Sequence, residues 1–435
     1  MSAAPSTPAR WTLLTRALQS RNYRLFFSGQ VVSLVGTWMT RVATSWLVYR
    51  VTDSPFLLGF TSFAGQIPIF FLSPVAGVLV DRWDRHRTLV ITQILSMLQS
   101  FALAALALSG VITVWEIILL ALFQGCVNAF DMPARQSFVV QMIERREDLG
   151  NAIALNSSMV NGARLVGPAV AGILIAAVGE GYCFLIDGIS YLAVIASLLL
   201  MRLKPSAAPH RESRRITVEI REGWIYVKQS VAIRSVLLFL ALVSLVGMPY
   251  TVLMPIFAGP ILHGGPHTMG FLMAATGVGA LTGALSLAMR PSVLGLGRVI
   301  VWSGSAFGAA LVAFGLSRNL WFSFLCVAVA GFGMMRSLAS SNTILQTIVS
   351  EDKRGRVMAY YSLSFQGIAP FGSLAAGAIA AKIGAPWTIV SGGLFCLAGA
   401  AAFAWNLPRL RREVRPIYSE LGILPRMPTE PDIGG

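Results

Sequence analysis

Residues 157–179 read SSMVNGARLVGPAVAGILIAAVG, and 205 positions later residues 362–384 read SLSFQGIAPFGSLAAGAIAAKIG. The two stretches share small and polar residues at matched places: Ser157/Ser362, Gly162/Gly367, Gly167/Gly372, Gly172/Gly377 and Gly179/Gly384. Apolar matches arise easily by chance in an apolar chain, whereas aligned glycines and serines do not. The same shift pairs Gln141 with Gln346 and Gly150 with Gly355. The repeat predicts two related halves, an arrangement found in membrane carriers.

The composition indicates that lipid is the solvent. Hydrophobic residues make up 55% of the 435 positions and charged residues only 12%, whereas soluble domains carry about 25% charged residues. A helix needs about 20 apolar residues to cross a bilayer. Twelve such runs are present, at 23–49, 56–80, 88–109, 113–133, 152–178, 182–201, 234–257, 268–289, 298–316, 320–342, 358–381 and 385–406. We predict an all-α membrane protein whose twelve transmembrane helices form two pseudo-symmetric six-helix bundles.

The basic residues fix the predicted orientation. The formal net charge is +15, but the Lys and Arg residues fall in short clusters between apolar runs, which argues against nucleic acid as a partner. If the N-terminus is cytoplasmic, the outward loops hold only Arg50, Arg318 and Lys382. The positive-inside rule therefore predicts a multi-pass protein of the bacterial inner membrane with both termini in the cytoplasm.

The expected domain organisation follows from these runs. Residues 1–21 form a cytoplasmic tail, 22–201 the first bundle, 202–233 a linker with an amphipathic surface helix, and 234–407 the second bundle. Residues 408–435 are expected to form a poorly ordered cytoplasmic tail, because four more prolines follow Pro408. A monomer is expected.

Catalytic and cofactor signatures are missing from the sequence. The cysteines lie in apolar runs without metal-ligand spacing, and the histidines fall in predicted loops. An intramembrane enzyme would need a nucleophile with a base, or a metal site, and neither HExxH nor GxSxG occurs. We predict no enzyme activity, no metal and no cofactor. A Walker-type ATP site is also missing, so a carrier would need another source of energy.

Polar residues inside the apolar runs are the sharper signal, because a charge within the bilayer costs several kcal/mol unless it is paired or hydrated. They are spaced to share helix faces, and we predict that they line a water-filled cavity for substrate or protons: Gln30, Thr37, Arg41, Gln124, Asn128, Asp131, Asn161, Arg164 and Arg336. For Arg164, a structural counter-charge is the alternative. The 205-residue shift places Asp131 opposite Arg336, which predicts an ion pair between the halves on the cytoplasmic side, broken each time the carrier opens inward. Solvation at the helix ends is the competing explanation.

Three further motifs permit a family resemblance. The loop after the second run reads Gly77-Val-Leu-Val-Asp81-Arg82-Trp83-Asp84-Arg85-His86-Arg87. Two more read Asp131-Met-Pro133-Ala-Arg135 and Asn161-Gly162-Ala-Arg164-Leu-Val-Gly167-Pro168-Ala-Val-Ala-Gly172. Together they resemble the major facilitator superfamily, in the branch that contains the enterobactin exporter and the macrolide-efflux proteins.

The resemblance implies a secondary transporter that exports a drug, siderophore or similar small organic molecule by alternating access, with proton antiport. It implies that Asp81 acts in a conformational latch with Gly77, Arg82, Arg85 and Arg135, and that Gly162, Gly167, Pro168 and Gly172 form an antiporter-like packing motif. Among Glu116, Asp131 and Asp187, the acidic residues within or bordering the fourth and sixth runs, Asp131 is the first choice for the proton-linked carboxylate. Movement of lipid or lysolipid, and uptake rather than export, are the alternatives.

Overall fold

The computed structural model describes residues 15–202, 216–290 and 292–423. Within these ranges the chain is helical, without strands, and twelve helices are long and apolar enough to cross a bilayer. Spans 1 to 6 are Arg21–Thr52, Pro55–Arg82, Arg85–Leu108, Val114–Met142, Leu149–Val178 and Glu180–Leu199. Spans 7 to 12 are Val231–Ile261, Pro266–Ala288, Leu296–Leu316, Leu320–Ile348, Glu351–Ile383 and Ala385–Glu420. The all-α fold with twelve membrane helices is confirmed.

Local sequence determines where the spans begin and end. Span 2 starts with Pro55 after Ser54, whose hydroxyl accepts the Leu57 amide at 3.4 Å. Asp84 caps span 3 in the same way, since its Oδ1 accepts the Arg87 amide at 3.0 Å. Spans 5 and 11 end at Gly179 and Gly384, with φ of 91° and 84°. Because such φ values favour glycine, this repeated pair has a shared structural reason.

Several helices run further than the apolar runs predict. Span 4 continues to Met142, span 10 to Ile348 and span 12 to Glu420, through Pro408 and Pro416. The expectation of an irregular tail from residue 408 is therefore wrong as far as Glu420. Hydropathy reports contact with lipid, whereas a helix continues past the bilayer wherever its outer turns still pack, as Leu410, Val414 and Tyr418 do here.

The packing groups the spans into two bundles. In the first half, span 1 packs against spans 5 and 6, span 3 against spans 4 and 6, and span 2 against span 4. In the second half, span 10 packs against spans 8 and 9, and span 12 against spans 7 and 9. Extensive packing across the halves joins span 5 to span 8 and span 2 to span 11.

The two cross-half contacts lie toward one side of the protein. We call the side that holds both described chain ends the terminal face and the other side the opposite face. Near the opposite face, a Cβ added to Gly59 would lie 2.8 Å from the Cα of Gly377. One added to Gly172 would lie 3.0 Å from the Cα of Gly270. The helix backbones therefore touch there, which only small residues permit.

Toward the terminal face the halves separate. A Cβ added to Gly77 in span 2, or to Gly162 in span 5, would meet no atom within 4 Å. Among the described residues, spans 4 and 10 share no extensive contact. The space between spans 1 and 4 on one side and spans 7 and 10 on the other is the central cleft. The contacts at Gly59 and Gly172, and the empty surroundings of Gly77 and Gly162, indicate that it is closed at the opposite face and open toward the terminal face.

A surface helix, Ile216–Gln229, connects the halves at the terminal face. Arg356 of span 11 pairs with Glu222 at 2.8 Å, and the Lys353 ammonium lies 4.6 Å from the Tyr226 ring. The predicted helix after the linker is therefore present and anchored to the second half. The linker at 203–215 lies outside the described residues.

Candidate substrate cleft

Asp131 of span 4 is the centre of a buried polar cluster in the first half. Its Oδ1 accepts hydrogen bonds from Thr92 Oγ1 at 2.9 Å and Gln93 Nε2 at 2.7 Å. Its Oδ2 accepts Arg135 Nε at 3.1 Å and Nη2 at 2.6 Å. Arg135 Nη1 in turn donates to Gln30 Oε1 of span 1. Spans 1, 3 and 4 are thus joined through one ion pair.

The predicted pair between Asp131 and Arg336 is not formed in this structure, so it stays a prediction for the closed terminal face. Both oxygens of Asp131 are engaged within the first half, and Arg135, one helical turn away, neutralises the carboxylate. The Arg336 guanidinium instead lies 5.5 Å from the centre of the Phe332 ring on its own helix. Its buried Nε has no hydrogen-bond partner among the described residues.

Replacement of Gln30 should lower the stability of the folded protein. Gln30→Leu removes the acceptor for Arg135 Nη1 and leaves a half-buried, charged donor without this partner. We expect the free energy of unfolding to fall by about 1–3 kcal/mol, measured by denaturant titration in detergent. The matched control is Gln141→Leu, since Gln141 is exposed on span 4. Equal stability of the two variants would contradict the role given to Gln30.

The other polar residues of span 4 face span 3. Gln124 Nε2 donates to Ser96 Oγ at 3.0 Å and to Asn128 Oδ1 at 3.1 Å.

Polar residues of spans 1 and 5 bond within their own helices. Thr37 Oγ1 donates to the Ser33 carbonyl at 3.0 Å, and Asn161 Nδ2 to the Ser157 carbonyl at 2.9 Å. Both bonds go to a carbonyl one turn earlier on the same helix and use only part of the hydrogen-bonding capacity of each side chain. Thr37 and Asn161 are half-buried.

Asp187 of span 6 is a buried carboxylate, although the sequence favoured Asp131 as the proton-linked residue. It is 1% exposed, and its Oδ2 accepts Thr40 Oγ1 at 2.8 Å and Ser100 Oγ at 2.9 Å. Its Oδ1 has no hydrogen-bond partner, and no cation lies within ion-pair distance, among the described residues. A carboxyl in the membrane interior without a counter-charge is a signal for function. In the sequence, the signal for such a role was that Asp187 lies within the apolar run 182–201.

Arg41 of span 1 and Arg164 of span 5 share one aromatic ring. Their guanidinium carbons lie 4.8 Å and 5.4 Å from the centre of the Trp38 ring. Arg41 is exposed to solvent although protein surrounds it at the middle of its span, which places it at the cleft. The buried Nε of Arg164 has no hydrogen-bond partner among the described residues. The two cations therefore lie close together, and no carboxylate in the described part of the chain lies within ion-pair distance of either.

The predicted packing motif is divided between two environments. A Cβ on Gly167 would lie 2.5 Å from the Trp38 Cβ, and one on Gly172 would lie 2.7 Å from the Pro266 carbonyl oxygen of span 8. Pro168 is buried next to these crossings. Gly162, by contrast, faces open space, so its expected role in close helix packing is wrong in this conformation.

The predicted latch is described only in part. The Asp81 side chain lies outside the described residues. Gly77 faces open space at the terminal face, and Arg82 is exposed. Arg135 is held by Asp131 and Gln30 rather than by the span 2 loop. Its expected role as the partner of Asp81 when the terminal face closes stays a prediction, since the Asp81 side chain is not described and Arg135 pairs with Asp131 in this structure.

Comparisons with known proteins show the family to which this chain belongs. Residues 15–418 match the family described as transmembrane secretion effector (MFS_3). The staphyloferrin A transporter of Staphylococcus aureus is 26% identical and aligns over 81% of this chain and 87% of its own. The multidrug efflux pump Tap of Mycolicibacterium fortuitum is 26% identical over 86% and 93%. Macrolide efflux protein A of Streptococcus pyogenes is 25% identical over 87% and 95%.

Solved structures show the same fold. An inward-facing, unoccupied bacterial homolog of the human lysosomal transporter Spinster superposes with a TM-score of 0.68 at 15% identity, over 92% of this chain and 98% of that one. These relatives and the fold are those of transporters and not of enzymes, as the sequence predicts. The chain belongs to the transmembrane secretion effector family of major facilitator transporters.

Proposed function

We propose that the protein exports a small organic molecule by alternating access, with protons as the coupling ion. The proposal rests on the asymmetry of the central cleft. The halves touch at Gly59/Gly377 and Gly172/Gly270 near the opposite face and separate toward the terminal face. In a carrier, rocking the halves about a site at mid-depth exposes it to each side in turn. The named efflux relatives support export as the direction.

The orientation is part of the proposal. The terminal face holds the clusters of Lys and Arg, so the positive-inside rule places it, with both termini, in the cytoplasm. The structure then corresponds to the inward-facing state, ready to take substrate from the cytoplasm. The Gly77–Arg87 loop lies at this face, where a latch formed by Asp81 would act when the cleft closes. One chain holds the whole cleft, which supports a monomer.

We assign the coupling proton to Asp187 rather than Asp131. A proton on Asp131 would break its ion pair with Arg135. A proton on Asp187 would neutralise a carboxyl that faces hydroxyls and, within the described ranges, no cation. Because an unpaired charge in the bilayer is costly, neutralisation favours the movement of span 6 with its neighbours. Thr40, which binds Asp187, adjoins Arg41 at the cleft, so span 1 connects the two sites.

Purified protein in proteoliposomes tests the function. We use fluorescein as an anionic probe, ethidium as a cationic probe and a labelled lysolipid. Export predicts that an imposed pH gradient drives net flux of at least one of the two soluble probes and that an uncoupler stops it. Flux of the lysolipid alone would contradict the proposal and favour a lipid mover. Flux that ignores the gradient would contradict proton coupling.

A further inference from the structure

We propose that the substrate is an organic anion that carries a carboxylate or a similar acidic group, bound by Arg41 and Arg164 beside Trp38. The inference rests on the proposed export function and names the class of molecule that the central cleft accepts. Its basis is the charge of the cleft wall, which the family match does not specify.

The two cations lack a protein counter-charge. Both guanidinium groups lie against the same Trp38 ring, and they repel one another electrostatically. Across residues 15–202, 216–290 and 292–423, no carboxylate lies within ion-pair distance of either. Two like charges at the middle of a membrane protein are unfavourable unless water or a bound anion compensates them.

The acidic groups of the first half that could compensate are committed elsewhere. Asp131 is bound by Arg135, and Glu180 by Arg50 at 2.8 Å near the opposite face. Glu116 accepts the Thr113 amide at the start of span 4. Asp187 is bound by Thr40 and Ser100 and is 1% exposed, so it does not reach the cleft. In the second half, the described spans carry no acidic residue at mid-depth.

The donors also point to a ligand. Arg164 Nε is buried and makes no hydrogen bond to the described residues, and a buried donor without an acceptor is unfavourable. A guanidinium binds a carboxylate through two parallel N–H bonds. Both guanidinium carbons lie over the Trp38 ring, and a carboxylate would give their N–H groups the oxygen acceptors that a ring does not offer.

Arg336 extends the site to the second half. It lies at mid-depth in span 10, across the cleft from span 4, and its Nε also has no hydrogen-bond partner in the described part of the chain. Closure of the terminal face would bring spans 4 and 10 together. A bound anion would then lie between cations from both halves, whereas an empty cleft would bring those cations together unscreened. The anion therefore favours closure.

The experiment measures binding and flux with the same two probes. Affinity for fluorescein, a dianion, and for ethidium, a cation, is measured in detergent. The proteins are wild type, Arg41→Gln, Arg164→Gln, Arg41→Lys and Arg164→Lys. Arg24→Gln is the matched control, since Arg24 is exposed on span 1 at the terminal face. Thermal unfolding of each variant shows that it is folded. Gradient-driven flux is then measured in proteoliposomes.

We expect wild type to bind and export fluorescein, and each glutamine variant to bind it at least tenfold more weakly. The lysine variants should retain part of the affinity, and Arg24→Gln all of it. Binding of fluorescein that survives in both folded glutamine variants would overturn the inference. So would gradient-driven export of ethidium without binding of fluorescein, a result that leaves the proposed export function in place. Flux of neither probe would instead refute the export function, and flux that ignores the gradient would refute its proton coupling.

Discussion

Cysteines placed at Ser62 and Ser373 should cross-link the two halves and stop transport. The two hydroxyl oxygens lie 3.2 Å apart, on spans 2 and 11, which is close enough for a disulfide or a short thiol-reactive cross-linker. The link would hold the opposite face closed. Because alternating access requires that face to open, flux should fall to the level of empty vesicles on oxidation and return on reduction.

The design needs a cysteine-free background, since Cys126, Cys183, Cys326 and Cys396 are free thiols. All four are changed to alanine before Ser62→Cys and Ser373→Cys are introduced. The two single-cysteine variants are the controls and should transport normally in oxidant. Full transport by the cross-linked double variant would show that the halves need not separate at this face.

Asp187→Asn should uncouple transport from the proton gradient. Asparagine keeps the size of the side chain and an oxygen that accepts from Thr40 and Ser100, but it binds no proton. Net export driven by a pH gradient should drop by at least about tenfold, because a charge no longer moves with the cycle. Exchange of labelled for unlabelled substrate, which needs no net proton movement, should continue.

Asp53→Asn is the matched control for that experiment. Asp53 lies in the turn between spans 1 and 2 with φ of 47°, a conformation that asparagine adopts readily. It should leave both assays unchanged. Gradient-driven export that persists in Asp187→Asn would transfer the coupling role to another group, and loss of exchange together with net export would indicate a structural role instead.

The fold could be predicted from sequence because its main determinants are local or periodic. Twelve apolar runs report contact with lipid directly, and the glycine pair Gly179/Gly384 reports a backbone conformation that other residues rarely adopt. The same logic failed at the chain's end. Span 12 continues through Pro408 to Glu420 because its outer turns pack against the second half, which hydropathy does not measure.

The site could be predicted only as a set of residues. Periodicity put Gln124, Asn128, Asp131 and Arg135 on one face of span 4. They form two polar clusters there: Gln124 and Asn128 with span 3, and Asp131 and Arg135 with spans 3 and 1. Which charges pair with which depends on distances between helices. Symmetry suggested Arg336 for Asp131, but a cation four residues away on the same helix forms the pair.

The importance of Asp187 and Trp38 depended on neighbours from other spans. The role proposed for Asp187 rests on the hydroxyls of Thr40 and Ser100 and on the lack of a cation within ion-pair distance among the described residues. Trp38 is significant because Arg164, 126 positions along the chain, reaches the same ring as Arg41. A sequence pattern in one helix does not contain this information.

Alternating access requires the two halves to open and close at opposite faces in turn. Spin-label distances test it most directly, with one pair at Val78 and Ala359 near the terminal face and one at Val178 and His267 near the opposite face. Val78, Ala359, Val178 and His267 are all exposed. Under a pH gradient with transported substrate, we predict a population in which the first distance shortens while the second lengthens. Two distances that stay fixed, or that change in the same direction, during active transport would contradict the claim.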